Sequence, residues 1–205
     1  GTAHHPAAQI KTFEMILKGD RFEAVNLPEL QASVSPDLTF SGNPKKISVR
    51  GSVLIPQALV REEHKETLIK PSSDVIVKGR GQETKPTLPF TVDVAVPVTL
   101  GDKVLVKAYG IDTGLAGKVT ITMKDVQDIR ASGGISTVKG KFDAYGVKLD
   151  IRRGRIAFGG GPLDRASLDI LALRKVSDVS AGVLVTGTPA SPLVNLYSEP
   201  AMPDM

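Results

Sequence analysis

The tract Gly133–Ser198 places aliphatic residues at every second position: Leu149 and Ile151, Ile156 and Phe158, Leu168 and Ile170, Val183 and Val185. In an extended chain, successive side chains point to opposite faces, so this period gives each strand one apolar and one wet face. The clearest single strand is Phe90–Leu100, where Val92, Val94, Val96, Val98 and Leu100 share a face. Val104 and Val106 continue the pattern, as do Val119, Ile121 and Met123. These residues are the candidate binding surface, because little else in the tract is chemically distinctive.

The pattern predicts an all-β chain of many strands. Candidate strands are Ile10–Leu17, Leu30–Val34, Ile47–Ile55, Asp74–Val77, Phe90–Leu100, Val104–Tyr109 and Leu115–Met123. They continue with Ile135–Lys139, Lys141–Ala144, Val147–Ile151, Arg155–Phe158, Ser167–Leu173, Ala181–Thr188 and Leu193–Ser198. Short gaps, often containing Gly, predict a meander of antiparallel neighbours. The 20 Gly and 14 Pro of the 205 residues suit strands joined by turns better than long helices. No segment has a helical apolar face: Ala58–Lys70 carries the run Arg61–Glu66 and reads as a solvated loop. Pro97, which cannot donate to a ladder, predicts that Phe90–Leu100 runs along an edge there or bulges. A faint repeat, Ile47–Ile55 against Leu149–Phe158, has the form strand, basic residue, Gly, strand. Residues 1–9 read as a terminal segment, an artificial start or a cut inside a longer protein with His4-His5 as a candidate tag remnant; residues 10–205 are expected to form a single domain, with 78–89 a mobile loop.

Composition removes several function classes. The absence of Cys excludes a disulfide scaffold, thiol catalysis and cysteine-based metal sites. A net charge of +4, evenly spread, is no nucleic-acid footprint, and 4% aromatics with no Trp leaves little for base or sugar stacking. No apolar run reaches the length of a membrane-spanning helix. The one His away from the terminus, His64, lies in a charged stretch with no Gly-x-Ser-x-Gly elbow to supply a nucleophile. The acid pairs Asp125/Asp128 and Asp164/Asp169 fit turns and outward strand positions better than glycoside hydrolysis. Gly159-Gly160-Gly161-Pro162 lacks the Lys-Ser/Thr of a phosphate loop and reads as a tight turn. Arg152-Arg153-Gly154-Arg155, the densest basic spot, reads as a solvated hairpin turn, with anionic lipid headgroups or an acidic partner as the sharper alternative. No catalytic residue, metal site or cofactor is expected, so the chain is read as a non-enzyme.

The aliphatic face remains. Periodicity cannot separate a core sealed between two packed sheets from an open groove. The scarcity of large fillers (six Phe, three Tyr) and the dominance of Val, Leu and Ile suit a groove for flexible acyl chains.

The segment Val138–Phe158, followed by Gly161-Pro162-Leu163-Asp164, Leu168–Arg174, Ala181–Gly187 and Leu196–Pro203, resembles the C-terminal domain of the TamB family of the AsmA-like superfamily. Ser72–Val77 and Leu100–Ile111 extend the resemblance over roughly Val49–Met205, with Gly1–Ser48 fitting more loosely. The resemblance implies an elongated curled sheet, antiparallel or mixed (a "β-taco"), with an apolar interior groove. It further implies a periplasmic location, as part of a protein anchored in the inner membrane of a diderm bacterium. Phospholipid is the implied cargo and the outer-membrane barrel protein TamA the implied partner, with unfolded outer-membrane proteins as another. No catalytic residue is carried over. The family's N-terminal anchor and apolar C-terminal extension are not among these residues, so the chain is expected to be an excised fragment. The readings left open are a lipid conduit, a chaperone-like holder of outer-membrane strands, and a closed β-sandwich spacer without ligand.

Overall fold

A computed structural model describes residues 11–61, 90–125, 128–144 and 146–200. Eleven strands form one sheet: β1 (Phe13–Lys18), β2 (Phe22–Asn26), β3 (Leu30–Asn43), β4 (Lys46–Arg61), β5 (Thr91–Ala108), β6 (Ile111–Met123), β7 (Ile129–Ala144), β8 (Val147–Pro162), β9 (Ser167–Val176), β10 (Val179–Thr188) and β11 (Ser191–Glu199). Their spatial order is β1-β3-β4-β5-β6-β7-β8-β9-β10-β11, with β2 also pairing β3. The only helical element among the described residues is a single 3₁₀ turn, Leu163–Arg165. The candidate strand Asp74–Val77, the loop 78–89, residues 1–9 and His64 lie outside the described residues.

The expected meander holds from β5 to β11, where consecutive strands pair antiparallel. It fails at β4 and β5, which pair in parallel. A parallel pair cannot be closed by a hairpin and needs a long crossover, which the chain between Arg61 and Thr91 has the length to make. The predicted loop Ala58–Lys70 is likewise cut short, since β4 runs on to Arg61.

Several predicted breaks are continuations of one strand. The two segments at Phe90–Leu100 and Val104–Tyr109 are both β5, which takes five steps from Leu100 to Leu105 where β6 takes three from Gly117 to Gly114. The extra residues, including Asp102, bulge outward without ending the ladder. Arg152-Arg153-Gly154-Arg155 is no hairpin turn but the irregular middle of β8, where its register to β9 shifts between Ile151 and Arg153. Gly159–Pro162 closes β8, and the following 3₁₀ turn makes the reversal. Both arms of the faint repeat, Ile47–Ile55 and Leu149–Phe158, therefore lie within single strands.

The prolines explain two further departures. Pro36 does not end β3, because β1 pairing stops at Lys18↔Asp37 and β2 pairing starts at Phe22↔Val34. Its missing N–H falls at the gap between these partners, while its carbonyl accepts a hydrogen bond from Gly19 N at 3.0 Å. Pro97 lies in an interior strand and not at an edge. The β4 ladder forms no pair between Arg50↔Ala95 and Val53↔Val98, the stretch opposite it. At the β5–β6 hairpin, Tyr109 and Gly110 both have positive φ, 53° and 80°, the signature of a type I′ turn.

The sheet is one-sided. Residues directly opposite in a ladder share a face. The pairs Phe40↔Val49, Val49↔Val94, Val96↔Ile121, Ile121↔Ala131, Ile135↔Ile156, Ile156↔Leu168, Ile170↔Val185 and Val185↔Val194 therefore carry one apolar face from β3 to β11. The other face carries the ion pairs Lys18–Asp37, Arg50–Asp93, Lys107–Asp112, Lys148–Asp143 and Arg153–Asp169. Each such exposed pair is worth well under about 1 kcal/mol, so they mark the wet side more than they hold it together.

No second sheet covers the apolar face: among the described residues, extensive contacts run only between sheet neighbours and to the 3₁₀ turn. The closed β-sandwich is therefore not what forms. Of the buried apolar residues, Val96, Val104, Ala108, Val119, Ala131, Leu149 and Ala172 belong to the apolar face, whereas Leu173, paired with Asp150 and Gly182, lies on the other and Ala166 follows the 3₁₀ turn. Two glycines on that face, Gly117 and Gly133, allow close backbone approach. A Cβ at Gly117 would stand 2.2 Å from the Gly134 carbonyl oxygen, and one at Gly133 2.3 Å from that of Lys118. Both have φ that L side chains rarely adopt, +149° and +117°.

Candidate functional site

The register brings the sequence-predicted residues together. On β5, Val92, Val94, Val98 and Leu100 stand opposite Ile47, Val49, Val53 and Ile55 of β4. On the other side, Val94, Val96 and Val98 face Met123, Ile121 and Val119 of β6. Beyond the bulge, Val104 and Val106 return to the same face opposite Ala58 and Val60. Further along, Leu149 faces Phe142, while Phe158 and Ile156 face Gly133 and Ile135. Ile151 faces Ala172, and Leu168, Ile170, Val183 and Val185 complete the surface through β9 and β10.

The face is kept apolar through changes of parity. On β7, Ile129, Ala131 and Ile135 point to it, but after the irregularity at Thr113/Gly114 so do Gly140 and Phe142. On β8, Leu149 and Ile151 share it with Ile156 and Phe158 although the numbering passes from odd to even. The sequence changes phase where the backbone does, so the apolar side stays continuous through each irregularity.

Sequence reasoning missed the half of the face made by β1 to β4: Phe13, Met15 and Leu17 opposite Gly42, Phe40 and Leu38, then Val49 and Val53. It also missed β2 (Phe22–Asn26) entirely. The signal was present as Phe13-x-Met15-x-Leu17 and Leu38-x-Phe40, but Pro36 concealed that β3 continues. At the margins the face is exposed, with Met15 at 55%, Val194 at 64% and Leu196 at 87%.

Polar groups on and behind this face are satisfied. Thr113, buried on the apolar side, donates its Oγ1 hydrogen to the Gly114 carbonyl at 3.0 Å. Ser33, buried on the other, accepts from Gln57 Nε2 at 3.1 Å. Asp93 is held below the usual carboxylate range by its hydrogen bond with the Arg50 guanidinium, outweighing the opposing effect of desolvation, with the charges of Arg50, Lys46 and Lys124 adding to it. The acid pairs singled out in the sequence do not converge on a site: Asp128 binds Arg130 at 3.0 Å, Asp169 binds Arg153 at 2.8 Å, and Asp164 sits in the 3₁₀ turn. Among the described residues no three His, Cys, Asp or Glu side chains gather as a metal site.

An open, curled sheet with one continuous apolar face and one ion-paired face defines the chain as a β-taco-like structural module. Within that class, the chain belongs to the family described as "TamB C-terminal domain", whose model matches residues 1–205. It is similar to the "Translocation and assembly module subunit TamB" of Haemophilus influenzae, at 29% identity over 94% of this chain and 16% of that protein. The chain thus spans about a sixth of the length of that curated relative.

Proposed function

We propose that this domain is a periplasmic segment of a bridge between the inner and outer membranes of a diderm bacterium. In this reading its apolar face carries phospholipid acyl chains in support of outer-membrane biogenesis, with an outer-membrane barrel protein such as TamA as partner. One observation carries the reading: an apolar face runs from β3 to β11, and no second layer covers it among the described residues. Moving a diacyl lipid through water exposes some thirty methylenes at about 0.8 kcal/mol each, a barrier that a continuous apolar surface removes. Because apolar contacts are non-directional, such a surface holds a chain without fixing it in place. The similarity to a translocation and assembly module subunit supports a role in building the outer membrane rather than in catalysis.

The chaperone-like alternative draws on a separate feature. Among the described strands β11 pairs only with β10; it contains no Lys or Arg and exposes Leu193, Val194 and Leu196 on its two faces. Natural edge strands are usually blunted by charge or bulges, so this edge is suited to add a strand from an outer-membrane protein.

Photo-crosslinkers in cells test the main reading. Those replacing Val94, Val106, Ile121, Ile156, Ile170 and Val185 should capture lipid. Those at Asp93, Lys107, Thr122, Arg155, Asp169 and Thr186, one residue away on the opposite face, should not. Equal labelling of both faces would mean surface adsorption, and capture of protein alone would favour the chaperone reading.

A further inference from the structure

The β8–β9 ladder ends at Asp150↔Leu173, yet both strands continue. Beyond that point β8 stays with β7 as far as Val147, and β9 stays with β10 as far as Val176. The two hairpins therefore part, leaving a cleft of about 650 Å³ between their ends. Lys141 and Lys148 line it from one hairpin, Arg174 and Lys175 from the other, against two carboxylates, Asp143 and Asp150. Asp143 is already engaged by Lys148 at 3.3 Å. Lys141, Arg174 and Lys175 make no ion pair among the described residues, so the cleft has cationic capacity to spare.

Arg174 gives this cleft its meaning. Ladder register places it opposite Ala181, next in line after Ile170, Ala172 and their partners Val185 and Val183. It is the one charged side chain that the described ladders assign to the apolar face. Phe142 and Leu149, also of that face, line the same cleft. The cleft opens between the hairpins, so Arg174 lines it from the end of the apolar track while Lys141, Lys148 and Lys175, which the same ladders assign to the opposite face, line it from the other side. A cationic gap at the end of an apolar track matches an amphiphile whose chains are apolar and whose head is anionic. The planar fork of the guanidinium fits two phosphate oxygens at once.

We propose that this cleft binds a phosphate group, and that the phosphate is the headgroup of a lipid whose acyl chains lie on the adjoining apolar face. The second clause rests on the acyl-chain reading above. The site gives the sheet a polarity: the headgroup end of a lipid is fixed at the β7–β8 and β9–β10 hairpin ends, and the chains extend away from it.

The test compares short-chain phosphatidylglycerol with diacylglycerol bearing the same chains, binding to the purified 205-residue chain. Each cation near an anionic headgroup is worth roughly fivefold in affinity, so the wild type should prefer the phospholipid by one to two orders of magnitude. The triple variant Lys141→Gln, Arg174→Gln, Lys175→Gln should bind both lipids alike, with its affinity for diacylglycerol unchanged. Arg174→Lys should retain only part of the preference. A control triple, Lys11→Gln, Lys45→Gln, Lys118→Gln, removes the same charge elsewhere and should retain all of it. Equal wild-type affinity for the two lipids overturns the cleft and leaves the acyl-chain reading standing. An equal loss in the control triple also overturns it, because binding would then be diffuse surface attraction. If neither lipid binds, both readings fall. Inorganic phosphate, followed by NMR shifts at Arg174 and Lys175, separates the sources: binding of phosphate with no preference between the lipids assigns the cleft to the free anion.

Discussion

Replacing Ile170 by Arg distinguishes an open apolar face from a sealed core. Ile170 is half-buried on β9, with Gly154 opposite it on β8 and Val185 on β10. Full burial of such a side chain is worth about 1.5–3 kcal/mol, so at half burial roughly 1–1.5 kcal/mol is at stake. The Arg stem recovers some of that by lying along its neighbours, and the guanidinium can reach water because no second layer covers the face among the described residues. Four residues along the same face, Arg174 already stands exposed. The expected loss is therefore about 1 kcal/mol, a fall in melting temperature of about 2–4 °C for a chain of this size. In a sealed core the unpaired charge would cost about 3–5 kcal/mol, a large part of the roughly 5–15 kcal/mol that holds a domain folded. The assay is a thermal melt by circular dichroism, run beside native mass spectrometry of co-purified phospholipid. A cooperative melt within a few degrees of wild type, with less bound lipid, supports the open face. An unfolded or insoluble protein would refute the argument, since it would mean that something covers Ile170.

Gly117→Ala should destabilise by roughly 1–3 kcal/mol or more, because both its φ and the nearby Gly134 carbonyl oppose a Cβ. Gly159→Ala, where no atom lies within 4 Å of the new Cβ, should change the melting temperature little; similar losses in the two variants would undo the argument from close backbone approach at Gly117. Asp93 has its carboxyl pKa depressed by Arg50 in the folded state, so its contribution is present above the unfolded carboxylate pKa and fades as pH falls through the folded value. Melting temperature measured from pH 6 downward should fall slightly more steeply below about pH 4 for wild type than for Asp93→Asn, with parallel curves counting against the coupling.

How much of this was legible in the sequence follows from how far each signal reaches. Alternation is local, and the residues it singles out from Val92 to Val185 share one face in the ladders, on both sides of the phase change in β8. Strand continuity is not local. Gly, Pro and basic clusters read as turns because they usually are, whereas at Pro36, at Asp102 and at Arg152–Gly154 neighbouring strands held the backbone extended through them. A bulge or an interrupted ladder costs little when the strands on either side stay paired, and that pairing is absent from any short window of sequence. The parallel step between β4 and β5 was hidden for the same reason. The candidate headgroup site lies at the far end of this scale. Arg174 belongs to a polar-looking run, Arg174-Lys175, and parity along β9 alone assigns it to the apolar side. What the sequence could not supply was the end of the β8–β9 ladder one residue earlier, which opens the cleft and makes an out-of-pattern arginine the proposed anchor for an anionic head.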